Sequence, residues 1–281
     1  MLGVVSSMTL AITGSTGHVG RLVAAQLGDL DPLLVVRDAS RAPAGFRTAQ
    51  TTYGERSRSA GVLAGVDVLF MVSASESPTR REEHRSFIAA AADAGVGHIV
   101  YTSFFGADPR AVFTLGRDHA DAEAAVRESG MRFTFLRDNF YSDLLPHFAD
   151  ESGVIRGPAG DGRVAAVARA DVADVASAVL RDPAAHVDTT YELTGPEALT
   201  LDEVAARAGA ALGASLRYER ETLAEAYASR RRWSEEQWQL DAWVSTYTAI
   251  ADGEVARVTD DVARVAGHPA RSIEDALASR A

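Results

Sequence analysis

Three glycines near the start of the chain have the spacing of a loop that can hold a phosphate group. Gly14, Gly17 and Gly20 form a GxxGxxG pattern between an apolar run and a helical pattern, within LAITGSTGHVGRLVAAQL at residues 10–27. Glycine permits the tight turn and the close approach of the backbone to a pyrophosphate. The following helix start offers N–H groups and the positive end of its dipole. The pattern therefore predicts dinucleotide binding.

The charge after the second apolar run indicates which dinucleotide binds. Sites for NAD usually carry an acid there for the ribose 2′-hydroxyl, whereas sites for NADP often carry Arg. Arg37 ends the run LLVVR and Arg41 lies nearby, although Asp38 argues in the other direction. We favour NADP(H) as the cofactor.

The composition excludes several kinds of chemistry. The 281 residues include no Cys and, among their 28 basic residues, no Lys. A disulfide, a thiolate nucleophile, a Cys-ligated metal, a Schiff-base lysine and a P-loop lysine are thus all absent. The seven His show no HExxH pattern for zinc, and no G-x-S-x-G elbow indicates a hydrolase. We expect no metal.

The overall charge and hydropathy point to a small-molecule partner. The net charge of −11 disfavours nucleic acid as a partner. No apolar run is long enough to span a bilayer, and the first seven residues, MLGVVSS, lack the pattern of a signal peptide. We expect a cytoplasmic protein with no membrane association, present as a monomer or homodimer.

These residues are positioned by apolar runs that alternate with helical patterns. Predicted strands lie at 9–13, 33–37, 67–73, 97–103 and 132–138, with a weaker candidate at 46–53; predicted helices lie at 19–27, 59–65, 80–95 and 118–130. This alternation is typical of a parallel sheet with helices on both faces. It predicts an α/β, Rossmann-type doubly wound fold, with a dinucleotide-binding domain at 8–150.

The pattern changes after about residue 140. Residues 153–168 are Gly-rich and loop-like, 169–182 are helical, and 189–195 resemble a strand. Thr200 and Glu203 have capping-box spacing at the start of a helix, and a helix-rich tail follows. We expect 151–281 to form a smaller, mainly helical lobe on the substrate side that partly completes the first domain.

Several segments together resemble a known family. The Gly-rich loop is followed in order by VVRD, VSASE, HIVYTS and FLRDNFYSD, and later by GPAGDGRVAAVARADVADV, YELTG and AGHPARSIEDAL. The chain resembles the NmrA-like group of atypical short-chain dehydrogenase/reductases. Within that group it is most similar to bacterial type 2 NADPH:quinone oxidoreductases.

The resemblance implies roles for individual residues. The residues expected to hold the pyrophosphate are Gly14, Thr16, Gly17, His18, Val19 and Gly20. Arg37 would take the 2′-phosphate, and Tyr53 would lie near the adenine. The polar residues expected beside the ribose and nicotinamide are Ser73, Ser75, Thr102, Ser103 and His119. The residues expected to line the substrate side are Phe104, Phe105, Asn139, Phe140 and Tyr141.

One departure from the wider superfamily affects the chemistry. Typical short-chain dehydrogenases carry Tyr-x-x-x-Lys at the start of the helix within TLGRDHADAE, where Tyr is the proton donor. Here the corresponding positions are Leu115 and His119. The usual acid for carbonyl reduction is therefore missing. We name His119, Ser103 and Tyr141 as the catalytic candidates.

Three functions remain open at this point. A quinone or aromatic carbonyl can accept hydride directly and collect its proton from water, so stacking and orientation can suffice. Alternatively, the protein senses NADP(H) and regulates a partner without turnover. The third possibility is a reductase or isomerase of a biosynthetic aromatic intermediate.

Overall fold

A computed structural model describes residues 8–278 of the chain. Residues 1–7, which lack the pattern of a signal peptide, lie outside the described residues. The chain divides into two compact units. The first comprises the chain up to Thr102, with Ala122–Phe135 and Ala176–Thr190; the second comprises Ser103–Asp121, Leu136–Val175 and the chain from Tyr191. No unit boundary falls at residue 150, and the division of roles at that position stays a prediction.

A seven-stranded sheet forms the framework of the first unit. Its strands are β1 (Leu10–Thr13), β2 (Leu33–Val36), β3 (Arg47–Gln50), β4 (Val68–Met71), β5 (His98–Phe104), β6 (Arg132–Asp138) and β9 (Thr189–Leu193). The order across the sheet is β3-β2-β1-β4-β5-β6-β9. The pairings from β3 to β5 are parallel, with Ile12 opposite Leu34 on one side and Phe70 on the other. The predicted doubly wound α/β fold is confirmed, including the weaker strand at 46–53.

Helices connect these strands. They are α1 (His18–Gln26), α2 (Arg56–Leu63), α3 (Arg80–Asp93), α4 (Thr114–Glu128) and α5 (Arg169–Arg181). All the strand residues of β1 and β4 are buried, because helices cover parallel sheets on both faces. Helix α4 begins at Thr114, earlier than the predicted start at 118, so Leu115 and His119 both lie in its first two turns.

The second unit has its own apolar cluster and small sheets. Strand β7 (Val154–Gly157) pairs in parallel with β11 (Arg217–Arg220), and β8 (Arg163–Val164) pairs antiparallel with β10 (Leu199–Thr200). The expectation that 153–168 is a loop was therefore wrong. Short strands in a Gly-rich segment carry little local signal when their partners are about 35 to 60 residues away.

The helix-rich tail was predicted correctly. It contains α6 (Leu201–Leu212), α7 (Leu223–Arg230), α8 (Gln237–Ala251), α9 (Asp261–Ala266) and α10 (Ile273–Ala278). Thr200 caps α6 by accepting from the Glu203 backbone N–H at 3.2 Å, and the Glu203 carboxylate accepts from the Thr200 N–H at 2.8 Å. The predicted capping box is present, since both halves depend only on residues three positions apart.

Candidate active site

The three loop glycines have different structural roles. Gly14 has a φ of +66°, and a Cβ there would lie 2.7 Å from the Cβ of Val72. A Cβ on Gly20 would lie 2.4 Å from the Gly14 carbonyl oxygen, so this glycine lets α1 pack against the loop. A Cβ on Gly17 would meet only that same oxygen, at 3.3 Å. Packing therefore requires Gly14 and Gly20, whereas Gly17 leaves the exposed side of the loop open.

The loop and the start of α1 suit an anion. Gly17 is the N-cap and makes no side-chain cap, and the first turn holds no acidic residue. Thr16 is half-buried and His18 exposed, while Val19 is buried. The hydroxyl of Ser15 is fully buried and has no hydrogen-bond partner within residues 8–278. First-turn amides and a positive dipole end attract a phosphate, so the predicted loop has the expected chemistry.

The end of β2 presents a cation to solvent. Arg37 follows the last strand residue directly and is exposed. Asp38 makes no ion pair with Arg37; its carboxylate accepts from the Ser40 backbone N–H at 3.0 Å and from the Ser40 hydroxyl at 2.7 Å. These hydrogen bonds lower the pKa of Asp38. The acid that argued against NADP(H) thus caps the short turn at 39–41.

A hydrogen-bond network ties the strand ends together. The hydroxyl of Tyr53 lies 2.6 Å from the Thr13 hydroxyl and donates to the Val72 carbonyl at 2.6 Å, and the Val72 N–H donates to Thr13 at 2.8 Å. The Tyr53 ring stacks on Phe87 with centroids 4.2 Å apart. Burial raises the pKa of Tyr53. Tyr53 therefore joins β1 to β4, and its predicted contact with adenine stays a prediction.

The segment after β4 is held by the predicted Thr102 and by two residues that were not predicted, His84 and Arg80. The Ser73 N–H donates to the Thr102 hydroxyl at 2.8 Å. The Ala74 N–H donates to His84 Nε2 at 2.8 Å, and Arg80 Nε donates to the Ala74 carbonyl at 3.0 Å.

His84 acts here as a neutral acceptor. Burial lowers its pKa to about 3, so the ring carries no proton on Nε2. His84 and Arg80 thereby fix the segment that carries Ser73 and the exposed Ser75. Their spacing of four residues, on a helix next to a strand end, is the only local signal that could have predicted this role in holding the segment after β4.

The second unit gathers aromatic side chains around the end of β5. The Phe104 ring lies 4.6 Å from Phe113 and 5.0 Å from Phe140, and Phe113 lies 5.1 Å from Phe140, between centroids. His119 is buried, with its ring centroid 6.1 Å from that of Phe104. We call Phe104, Phe113 and Phe140 the aromatic trio. Phe113 was missed because it belongs to no recognised motif.

Other predicted residues of this unit are buried near the trio. Ser103 is buried within β5, and Phe105 is buried under Arg257, whose Cζ lies 5.0 Å from the ring centroid. Asn139 is also buried; its amide donates to the Val255 carbonyl at 3.0 Å and its oxygen accepts from the Phe140 N–H at 2.8 Å. Asn139 therefore anchors the segment after β6.

A carboxyl and a phenol meet after β6. The hydroxyl of Tyr141 donates a short hydrogen bond to Asp138 Oδ2. Burial raises the pKa of Asp138 to about 7. Burial and the neighbouring carboxyl together raise the pKa of Tyr141. Tyr141 was predicted as a catalytic candidate, whereas Asp138 was not.

Two acidic residues of α5 lie close to a histidine from the C-terminal part of the chain. Ligand atoms of Asp171, Asp174 and His268 lie within 4.8 Å of one another. Arg271 donates to both carboxylates. A guanidinium therefore already binds both carboxylates of this cluster and offsets part of their charge. Among residues 8–278, no helix is both long and apolar enough to cross a membrane.

Comparison with known proteins agrees with this geometry. A family model described as NAD(P)H-binding matches residues 14–183, which include the loop, Arg37, Ser73 and Thr102. The chain belongs to this family, as an NmrA-like atypical short-chain dehydrogenase/reductase. It is an NAD(P)H-dependent oxidoreductase.

Three relatives with known names match this chain over nearly the whole length of both proteins. Quinone oxidoreductase 2 of Escherichia coli strain K12 is 31% identical over 95% of this chain and 97% of its own. An NAD(P)H azoreductase of Xenophilus azovorans is 32% identical, covering 95% and 96%. A (4-alkanoyl-5-oxo-2,5-dihydrofuran-3-yl)methyl phosphate reductase of Streptomyces griseus is 34% identical, covering 97% and 98%. The crystal structure of the E. coli enzyme with NADPH superimposes with a TM-score of 0.88 at 30% identity, over 97% of this chain and 99% of that one.

Proposed function

We propose that this oxidoreductase transfers hydride from NADPH to quinone-like or aromatic carbonyl acceptors without a Tyr–Lys pair. The observation that carries the proposal is the aromatic trio, which lies beside His119. His119 belongs to α4, and on the same helix Leu115 occupies the usual Tyr position. NADPH supplies a hydride when bound. Flat aromatic rings recognise a flat acceptor by stacking, and an acceptor of high electron affinity needs little acid assistance.

The Gly-rich loop and the start of α1 are proposed to hold the cofactor. The first-turn amides of α1 and the buried Ser15 hydroxyl fit a pyrophosphate, with Gly14, Thr16, Gly17, His18, Val19 and Gly20 as the proposed cradle. Ser73, Ser75, Thr102, Ser103 and His119 are proposed to line the ribose and nicotinamide. Phe105, Asn139 and Tyr141 are proposed to complete the substrate side.

Arg37 is proposed to select NADPH over NADH. Its guanidinium has no acidic partner among the described residues. A hydrogen bond to a charged group contributes about 1.5–3 kcal/mol. Arg37→Ala should weaken NADPH binding about tenfold to a hundredfold and leave NADH binding unchanged. Titration calorimetry with both cofactors measures this, with Arg58→Ala as the matched control because Arg58 is exposed on α2, 3.8 Å from Glu55. Equal affinities of the unmutated protein for NADPH and NADH would contradict the assignment.

An acceptor panel tests the proposed substrate class. Benzoquinones and naphthoquinones should oxidise NADPH rapidly, whereas simple ketones should be reduced about 10² to 10⁴ times more slowly because the Tyr–Lys pair is missing. Phe140→Leu keeps the apolar volume but removes a stacking ring, and should raise KM for quinones. Fast reduction of simple ketones by the unmutated protein would contradict the proposal. Tight NADPH binding without turnover of any acceptor would favour a sensing role.

A second candidate is a reductase of a biosynthetic ring intermediate. The S. griseus relative, whose name specifies a dihydrofuran phosphate, is 34% identical over 97% of this chain. Adding such a phosphate to the acceptor panel distinguishes the two candidates by their kcat/KM values.

A cytoplasmic location, a monomeric or homodimeric state and the lack of a nucleic-acid partner stay predictions.

A further inference from the structure

A buried carboxyl stands beside a phenol on the predicted substrate side. Asp138 is the last residue of β6 and is 4% exposed. Its Oδ2 accepts the short hydrogen bond from the Tyr141 hydroxyl. Its Oδ1 is buried and has no hydrogen-bond partner within residues 8–278. Within the described residues, Oδ2 therefore has one hydrogen-bond partner, Tyr141, and Oδ1 has none.

Among residues 8–278, no cation pairs with this carboxyl. Arg169 is near, with its Cζ 5.9 Å from the centre of the Tyr141 ring, but its guanidinium binds Asp143 Oδ2 at 2.6 and 2.8 Å. Arg137 precedes Asp138 in the strand and so points to the opposite face, where it lies 3.7 Å from Glu192. Outside the pair, Asp143 raises and Arg169 lowers the pKa of Tyr141, whereas Asp138 is affected by Tyr141 itself.

Burial without a counter-charge favours the protonated carboxyl. An ionised carboxylate in an apolar environment is costly, and the group takes up a proton instead. The pKa of Asp138 is accordingly raised to about 7. The carboxyl therefore gains and loses its proton around neutral pH, which is the range in which a general acid works best. Tyr141 keeps its own proton, because its pKa is raised as well.

We propose that Asp138 is the proton reservoir of the reaction and that Tyr141 passes its proton to the acceptor. This inference rests on the proposed function. As the acceptor gains hydride, its oxygen gains negative charge and takes the proton of the Tyr141 hydroxyl. For this transfer the protonated Asp138 must donate from Oδ2 to the Tyr141 oxygen, the reverse of the direction in the ionised pair, so that the Tyr141 O–H points to the acceptor. The O–H bond of Asp138 then breaks as Tyr141 gives up its proton, and the Asp138 proton restores the Tyr141 hydroxyl.

The step balances with one external proton. The acceptor gains two electrons and one proton as hydride, and a second proton through Tyr141, which yields the hydroquinone or alcohol. Asp138 is left as a carboxylate and recovers its proton from water. Asp138 acts through Tyr141 and is a positioning and proton-supplying residue, whereas Tyr141 touches the acceptor. The pair supplies the second proton that a quinone needs, but it does not replace a Tyr–Lys pair for simple ketones, because burial and Asp138 raise the pKa of Tyr141 where a Lys would lower it.

Asp138→Asn and Tyr141→Phe test the relay. Asn keeps the shape and an oxygen that accepts from Tyr141, but it has no proton to give. For the unmutated protein, kcat with a naphthoquinone should be constant in acid and fall as the pH rises through about 7. Both variants should lose at least about tenfold in kcat near pH 6, with a flat pH profile and unchanged NADPH affinity.

The chain offers a matched control. Tyr227 donates to Asp241 at 2.8 Å, a phenol–carboxylate pair on α7 and α8 that has no role in the proposal. Asp241→Asn should leave both kcat and the pH profile of the unmutated protein intact. A pH profile that keeps its fall near 7 in Asp138→Asn, or that is already flat in the unmutated protein, would overturn the relay.

Infrared spectroscopy reads the proton without turnover. The unmutated protein should show the carbonyl stretch of a protonated carboxyl near pH 6, which disappears above pH 7 and is absent in Asp138→Asn. If this band is present but no quinone is reduced, the proposed function fails and the delivery step fails with it. If quinones are reduced and no such band exists, only the reservoir is refuted.

Discussion

Replacing Asp138 with Asn should stabilise the protein increasingly as the pH rises. The carboxyl has a pKa of about 7 in the folded protein against a reference value of 3.8, and burial is the first cause. A group whose pKa is raised on folding contributes fully below its unfolded pKa, and this contribution is lost as the pH rises through the folded value. The wild-type protein therefore loses free energy of unfolding between about pH 4 and pH 7.

The size of this loss follows from the two values. Each pKa unit corresponds to about 1.4 kcal/mol. A rise of about three units gives a penalty on the order of 4 kcal/mol above pH 7 and close to zero below pH 4. Asn remains neutral throughout, so Asp138→Asn escapes the penalty while still accepting a hydrogen bond from Tyr141.

Urea unfolding of the cofactor-free protein at about pH 4.5, 6 and 8.5 measures the effect. The difference in free energy of unfolding between Asp138→Asn and the wild type should grow with pH by on the order of 3 to 4 kcal/mol. Any constant offset reports the change of side chain and does not enter the comparison. Asp241→Asn, which alters a half-buried pair of the same chemistry, should show no such growth. A difference that does not change with pH would show that Asp138 is ionised in the folded protein and would refute the reasoning.

Four further substitutions test the loop and the site. Gly17→Val should abolish NADPH binding without unfolding the protein, and normal NADPH binding by this variant would exclude the loop as the phosphate cradle. Gly20→Ala should instead lower the melting temperature, because its Cβ would lie 2.4 Å from a loop carbonyl oxygen. His84→Ala leaves the Ala74 N–H without its acceptor and should cost about 1–3 kcal/mol of stability in urea unfolding, and an unchanged midpoint would contradict that role. His119→Ala should reduce quinone turnover only modestly, and fast ketone reduction that His119→Ala abolishes would show that His119 is the acid.

Local sequence was sufficient for the loop and for the missing acid. The GxxGxxG spacing, the apolar strand before it and the helix after it are all short-range features, so their geometry follows from neighbouring residues. Leu115 and His119 could be identified directly, because the chemistry that a side chain lacks is independent of the fold. The capping box at Thr200 and Glu203 was equally predictable, since both partners lie within one turn.

Tertiary packing decided the rest of the site. Asp138 and Tyr141 are only three residues apart, but their titration depends on burial and on Arg169 being bound to Asp143, 26 residues away along the chain. The strands within 153–168 likewise depend on partners at 199–200 and 217–220. Composition and spacing determined that this chain binds a dinucleotide without the usual acid. Only the fold determined which carboxyl holds a proton, because desolvation and the pairing of distant charges exist only after the chain has packed.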